Sequence, residues 1–122
     1  MTTAPAKDPS LCDRNLPHDV RTALFGGKGA VRVWSLVRSP ALPFTAVLAC
    51  ELEPEGSVGA HVQEQYPEIV IAVSGTGSVK VNDVARAFEA GAVVELTRGH
   101  TLAISNLSST DPLRYLIIKA QG

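Results

Sequence analysis

Aromatic residues are scarce, with one tryptophan, two tyrosines and three phenylalanines in 122 residues. Trp34, Tyr66 and Tyr115 are too few and too scattered to stack the bases of a single strand. Charge of one sign is not in excess either: 11 basic and 12 acidic side chains leave a net charge of -1. That balance argues against a nucleic-acid binder working by phosphate neutralisation and against a polybasic membrane anchor. The two cysteines, Cys12 and Cys50, lack C-x-x-C spacing and cannot make a disulfide framework. Cys50 lies in an apolar run, where a thiol behaves as a small hydrophobe, whereas Cys12 carries no clear signal. The longest apolar stretches, such as 44–50, fall far short of the ~20 residues needed to span a bilayer, and no signal-peptide pattern opens the sequence. The expectation is a soluble, cytoplasmic protein with neither nucleic acid nor membrane as partner.

What is present suits one domain. A chain of this length has room for a single core and buries about two thirds of its unfolded surface. Hydrophobic residues at 45% against 19% charged exclude disorder as the dominant state. Residues 1–18 carry Pro5, Pro9 and Pro17 without periodicity and read as a mobile or surface-hugging arm, with His18 on the surface. Residues 19–25 are expected to make one short helical turn, ended by Gly26, Gly27 and Gly29. The arm therefore spans 1–30.

From 31 to 119 the pattern changes to short runs rich in Val, Ile and Leu: 31–37, 44–52, 61–63, 68–74, 78–82, 86–88, 93–96, 102–105 and 113–119. Turn chemistry separates them, as at Glu53-Pro54-Glu55-Gly56, Gly75-Thr76-Gly77 and Asn82-Asp83. Strands of this length and spacing predict an all-β antiparallel barrel. Alternation agrees: Val79 and Val81 point one way, and Ser78, Lys80 and Asn82 the other.

The chemistry concentrates in 56–77. If 61–63 is extended, His61 and Gln63 share one face, roughly 7 Å apart along the strand. A turn around Gln65 to Pro67 returns the chain, so that Glu68 converges on them from a strand about 4.8 Å away. An imidazole, an amide oxygen and a carboxylate inside a barrel suit a divalent metal. Other templates fail. Glu64 and Glu68 lie across a turn and form no glycosidase-like dyad. Gly75-Thr76-Gly77 precedes no long helix, and Gly26-Gly27-Lys28-Gly29 lacks phosphate-loop spacing.

The stretch Gly56 to Gly75 resembles the first motif of the cupin superfamily, which runs glycine, His-x-His, glutamate, glycine. His61 falls on the first histidine, Glu68 on the glutamate and Gly75 on the closing glycine. Gly91 to Asn106 resembles the second motif, with Gly91, Gly99 and Asn106 on its glycines and asparagine. The resemblance covers about 31–119 and implies a double-stranded β-helix, or jelly-roll, barrel, without naming an activity. Cupin metal sites typically use three histidines and one glutamate. Here Gln63 stands at the second histidine position and, read without gaps, Leu102 at the third and Thr97 at the motif's proline. His100 offers an alternative, either by lying on the face of Leu102 or through a two-residue deletion after Gly99 that forfeits the Asn106 match. With it, His61, Glu68 and His100 would resemble a two-histidine, one-carboxylate centre, assisted by Gln63. The ungapped reading keeps more matches and favours a degenerate site.

The favoured expectation is a small single-domain cupin that binds a small molecule in a pocket including His61, Gln63, Glu68 and Leu102, its divalent-metal site reduced or absent. The alternative is a metal-dependent enzyme of dioxygenase or isomerase type, with His61, Gln63, Glu68 and His100 around one Fe, Mn, Ni or Zn ion. A third class is a structural or regulatory module. In each case a homodimer is expected, formed by edge strands, with 31–37 and the arm as donors.

Overall fold

The computed structural model describes residues 11–64 and 67–121. In chain order the strands are β1 (Asp19–Thr22), β2 (Ala30–Ser35), β3 (Phe44–Leu52), β4 (Ser57–Val62), β5 (Glu68–Ser74), β6 (Thr76–Val81), β7 (Val84–Glu89), β8 (Val93–Leu96), β9 (Thr101–Asn106) and β10 (Leu113–Ala120). They form a six-stranded sheet ordered β1-β2-β3-β10-β5-β8 and a four-stranded sheet ordered β4-β9-β6-β7. Every pairing is antiparallel. This is the all-β jelly-roll barrel expected from the sequence. Among the described residues no helix is long and apolar enough to cross a membrane.

Period-two patterning creates the barrel interior. In β9, Leu102, Ile104 and Asn106 are buried while the residues between them are only partly covered. In β5, Glu68, Val70 and Ala72 turn inward. Phe88, Leu52, Leu96, Leu102 and Leu113 are fully buried, and each such side chain contributes about 1.5–3 kcal/mol by leaving water. Asn106 ties the barrel's end together. Its Nδ2 donates to the carbonyls of Leu52, Glu53 and Asp111, and its Oδ1 accepts from the Ser108 amide.

The segment ahead of residue 31 departs from expectation. Residues 19–22 are strand, paired with β2 in the register Asp19↔Val33 to Thr22↔Ala30, and the helical turn is confined to a 3-10 turn at Leu24–Gly26. The glycines explain the change: Gly26 and Gly29 take φ of 78° and 76°, so the chain reverses into a hairpin instead of continuing as a helix. Residues 31–37, expected to offer a dimer edge, lie largely within β2, which is enclosed by β1 and β3. The edges of this sheet are β1 and β8.

The arm's first ten residues lie outside the described ones. From residue 11 onward the arm covers the outer face of the larger sheet. Cys12 is buried with Trp34 and Ala49, and Trp34 Nε1 donates to the Asp13 carbonyl at 2.8 Å. His18 stacks on Trp34 with centroids 4.6 Å apart. Its Nε2 meets Arg32 Nη1 at 2.8 Å and its Nδ1 meets the Leu16 carbonyl at 2.8 Å. Arg14 and Arg114 grip the two oxygens of buried Glu51 at 2.7 and 2.9 Å. Cys12 Sγ lies 3.7 Å from the Cys50 carbonyl, and both cysteines are free thiols.

Candidate functional site

Three strands bring the site together. On β4 the register passes from Val58↔Ile104 to His61↔Leu102, so three steps on one strand oppose two on the other. That surplus residue is a β-bulge, and it resets the side-chain parity. Val58 and His61 consequently both face the hollow, although alternation alone would send them to opposite sides. Gln63 follows beyond the strand end, 8% exposed, with its backbone N–H donating to the His100 backbone carbonyl and its backbone carbonyl accepting from the Gly99 N–H. On β5, Glu68 pairs with Lys119 of β10 on one side and Leu96 of β8 on the other.

The hollow between the sheets has a volume of about 280 Å³. Val31, Val33, Val58, Ile104 and Ile117 supply apolar wall, while His61, Gln63, Glu68, Arg21 and Lys119 supply polar wall. His61, Gln63 and Lys119 also line a shallower depression outside it, which marks them as the mouth. The 3-10 turn lies across this opening. Phe25 stacks on His61 with ring centroids 4.3 Å apart and planes 17° apart. The turn can sit flat on β4 because Gly27 and Gly59 face each other across the contact. A Cβ at Gly59 would overlap the Phe25 carbonyl, and one at Gly27 the Ser57 carbonyl.

The electrostatics of the hollow are unusual. Glu68 is 2% exposed, and neither carboxyl oxygen has a hydrogen-bond partner among the described residues; the same holds for His61 Nδ1. Lys119 Nζ stands 3.9 Å from Glu68 Oε2, beyond hydrogen-bond reach. Burial raises the Glu68 carboxyl above the usual range, and the positive charge of Lys119 and the His61 imidazole only partly oppose that. Burial likewise pushes the Cys50 thiol up to about 12 and the Tyr115 hydroxyl well above its ordinary value. Both line the hollow as neutral groups, so Cys50 is not an activated nucleophile.

Of the residues singled out from sequence, His61, Gln63, Glu68 and Leu102 all line the hollow. Leu102 is fully buried directly across from His61. His100 is not among the lining residues. It precedes β9 in a turn where Gly99 has φ of 91°, and its Nε2 lies 3.1 Å from the Thr97 hydroxyl. Strand parity does not extend into that turn, which is why its two-residue offset from Leu102 fails to bring it inward. Among the described residues no group of three or more His, Cys, Asp or Glu side chains is placed to hold a metal ion. The Gln65 and Tyr66 part of the expected turn lies outside the described residues.

Lys119, Arg21 and Phe25 were not anticipated. A signal for Lys119 existed: it continues the alternate series Leu113, Tyr115, Ile117, whose side chains face inward. Arg21 and Phe25 belong to the hairpin that the sequence presented as a helical turn.

Comparison with known proteins bears on this geometry. The cupin-domain family profile matches residues 48–119. A search of curated proteins finds no match. Among solved structures, a predicted oxalate decarboxylase from Thermotoga maritima is 25% identical, with a TM-score of 0.81 over 88% of this chain and 94% of that one. A cupin 2 conserved barrel domain protein from Salinispora arenicola is 26% identical, with a TM-score of 0.65 over 75% and 76%. The polyketide cyclase RemF from Streptomyces resistomycificus, at 17% identity and a TM-score of 0.64 over 74% and 64%, shares the fold. With two facing antiparallel sheets, inward His61 and Glu68, and a family match over more than half its length, the chain belongs to the cupin family.

Proposed function

We propose that this cupin binds a small organic molecule in its barrel hollow through direct contacts with protein side chains. The observation that carries the reading is the buried polar end: among the described residues both oxygens of Glu68 and Nδ1 of His61 lack hydrogen-bond partners beside an open volume of about 280 Å³. A buried polar group left unpaired costs about 1–3 kcal/mol. A ligand that satisfies these atoms recovers that cost while its body covers the apolar walls. The hollow lies near the lower end of the ~300–1,000 Å³ common for small-molecule pockets.

The four-ligand metal centre that cupins typically carry does not fit this donor set. Unpartnered carboxylate and imidazole atoms would by themselves suit a cation, but their neighbours oppose one. Leu102 brings no donor beside His61, Gln63 offers at most a weak neutral oxygen, and the Lys119 ammonium already stands against Glu68. A metal ion there would meet like charge in a poorly solvated site. Binding is therefore assigned to the protein groups themselves, with Glu68 and His61 orienting the ligand and Phe25 covering the imidazole.

Elemental analysis of protein purified without chelators tests the reading, beside calorimetric titration with size-matched small molecules. The expected result is well under one metal per chain, together with saturable binding. A near-stoichiometric metal that disappears in His61→Ala would overturn it in favour of a metal-dependent enzyme.

A further inference from the structure

We infer that the occupant of the hollow is a small monocarboxylic acid with an apolar body, its carboxylate seated on the Lys119 ammonium at the mouth. The inference rests on the reading of the hollow as a ligand site and adds the chemical class. Three observations support it.

The first is the state of Lys119. Its Nζ makes no hydrogen bond to the described residues, and its salt-bridge partner, Glu68 Oε2, lies 3.9 Å away. An ammonium carries three donors, so Lys119 has capacity for an anion. The second is the charge of the wall. Arg21 and Lys119 are cationic, and the acidic residue lining the same hollow is Glu68, whose burial favours the protonated form. A ligand carboxylate would meet these two cations as opposite charge, whereas a ligand ammonium would meet Arg21 and Lys119 as like charge. The third is the division of the surface. The polar groups His61, Gln63, Lys119 and the exposed Glu64 border the mouth, and Val31, Val33, Ile104 and Ile117 line the interior. A molecule charged at one end and apolar at the other satisfies both regions at once. A very short polar acid would leave the apolar wall bare.

Calorimetric titration with benzoate and hexanoate, beside the neutral isosteres benzyl alcohol and hexanamide and the cation hexylamine, tests this on the intact chain. The acids are expected to bind at least about tenfold more tightly than the isosteres, the usual weight of one charge-assisted hydrogen bond. Acetate is expected to bind more weakly than hexanoate. Lys119→Met should erase the preference for the acids and Lys119→Arg should retain it. Equal affinity for acid and isostere in the wild-type protein would overturn the carboxylate inference while leaving the ligand site standing, and needs no variant to fold. Failure of every compound in the panel to bind would remove the small-molecule reading itself, and the inference with it.

Discussion

Asn106 gives the most quantitative check on how the barrel is held. The residue is 4% exposed, and its amide nitrogen lies 3.1, 3.1 and 2.9 Å from the carbonyls of Leu52, Glu53 and Asp111. Two N–H hydrogens serve three acceptors, so one is shared. The oxygen accepts from the Ser108 amide at 3.0 Å. Asn106→Ala deletes all four contacts. At about 1 kcal/mol for each net hydrogen bond, with part of the loss recovered by water at the loop, the expected cost is about 2–4 kcal/mol. For a domain of this size that corresponds to a fall in Tm of about 10 °C or more. Asn106→Asp sharpens the test because it preserves shape and reverses donor chemistry. A carboxylate would face three carbonyls, so its folded-state pKa rises above the ordinary value. A raised folded pKa means the variant is least impaired in acid and loses stability as pH climbs through that pKa. Thermal unfolding from pH 4 to 8 reads both effects. A fall of less than about 3 °C for the alanine variant, or a pH-independent deficit for the aspartate variant, would refute the reasoning.

Three further outcomes are expected. Glu68 has a raised folded-state pKa, so its favourable contribution is complete below the ordinary carboxyl value of about 4.3 and lost as pH rises through the folded value. Glu68→Gln should therefore gain Tm relative to wild type with increasing pH, and a difference that stays flat across pH would contradict the burial argument. At Glu51, burial pushes the carboxyl up, but the hydrogen bonds and charges of Arg14 and Arg114 outweigh it and hold the pKa below the ordinary range. Its contribution is present above the ordinary value and disappears as pH falls through the lowered one, so Glu51→Gln should flatten the acid limb of the unfolding profile. Gly59→Ala places a methyl against the Phe25 carbonyl. It should lift the 3-10 turn from His61 and hasten hydrogen exchange at residues 24–27, and unchanged exchange would show that the turn does not depend on this close approach.

The strands were legible in sequence wherever one face is buried and the period is two, as in β6, β9 and β10. Turn residues separated them at Gly75 and at Asn82-Asp83. His61 and Glu68 were legible because their spacing spans one strand, one turn and the start of the next. β1 was hidden because a four-residue edge strand with every residue exposed has no buried face to create alternation. The exclusion of His100 from the hollow was hidden for a related reason: face parity is defined only inside a strand, and His100 stops one residue short of β9. Lys119 was legible in pattern, but its importance depends on the β5–β10 register, which joins residues 51 positions apart and leaves no local trace.

The bulge on β4 makes the polar chemistry of the hollow depend on chain length as well as composition. Removing Gly59 or Ala60 would leave every ligand-facing residue type in the sequence and yet rotate the imidazole toward bulk water. Family members that differ by one residue at this point would therefore present different binding surfaces from nearly identical sequences. Length variation between Val58 and His61 is thus a way to switch the hollow's recognition chemistry without replacing a single side chain.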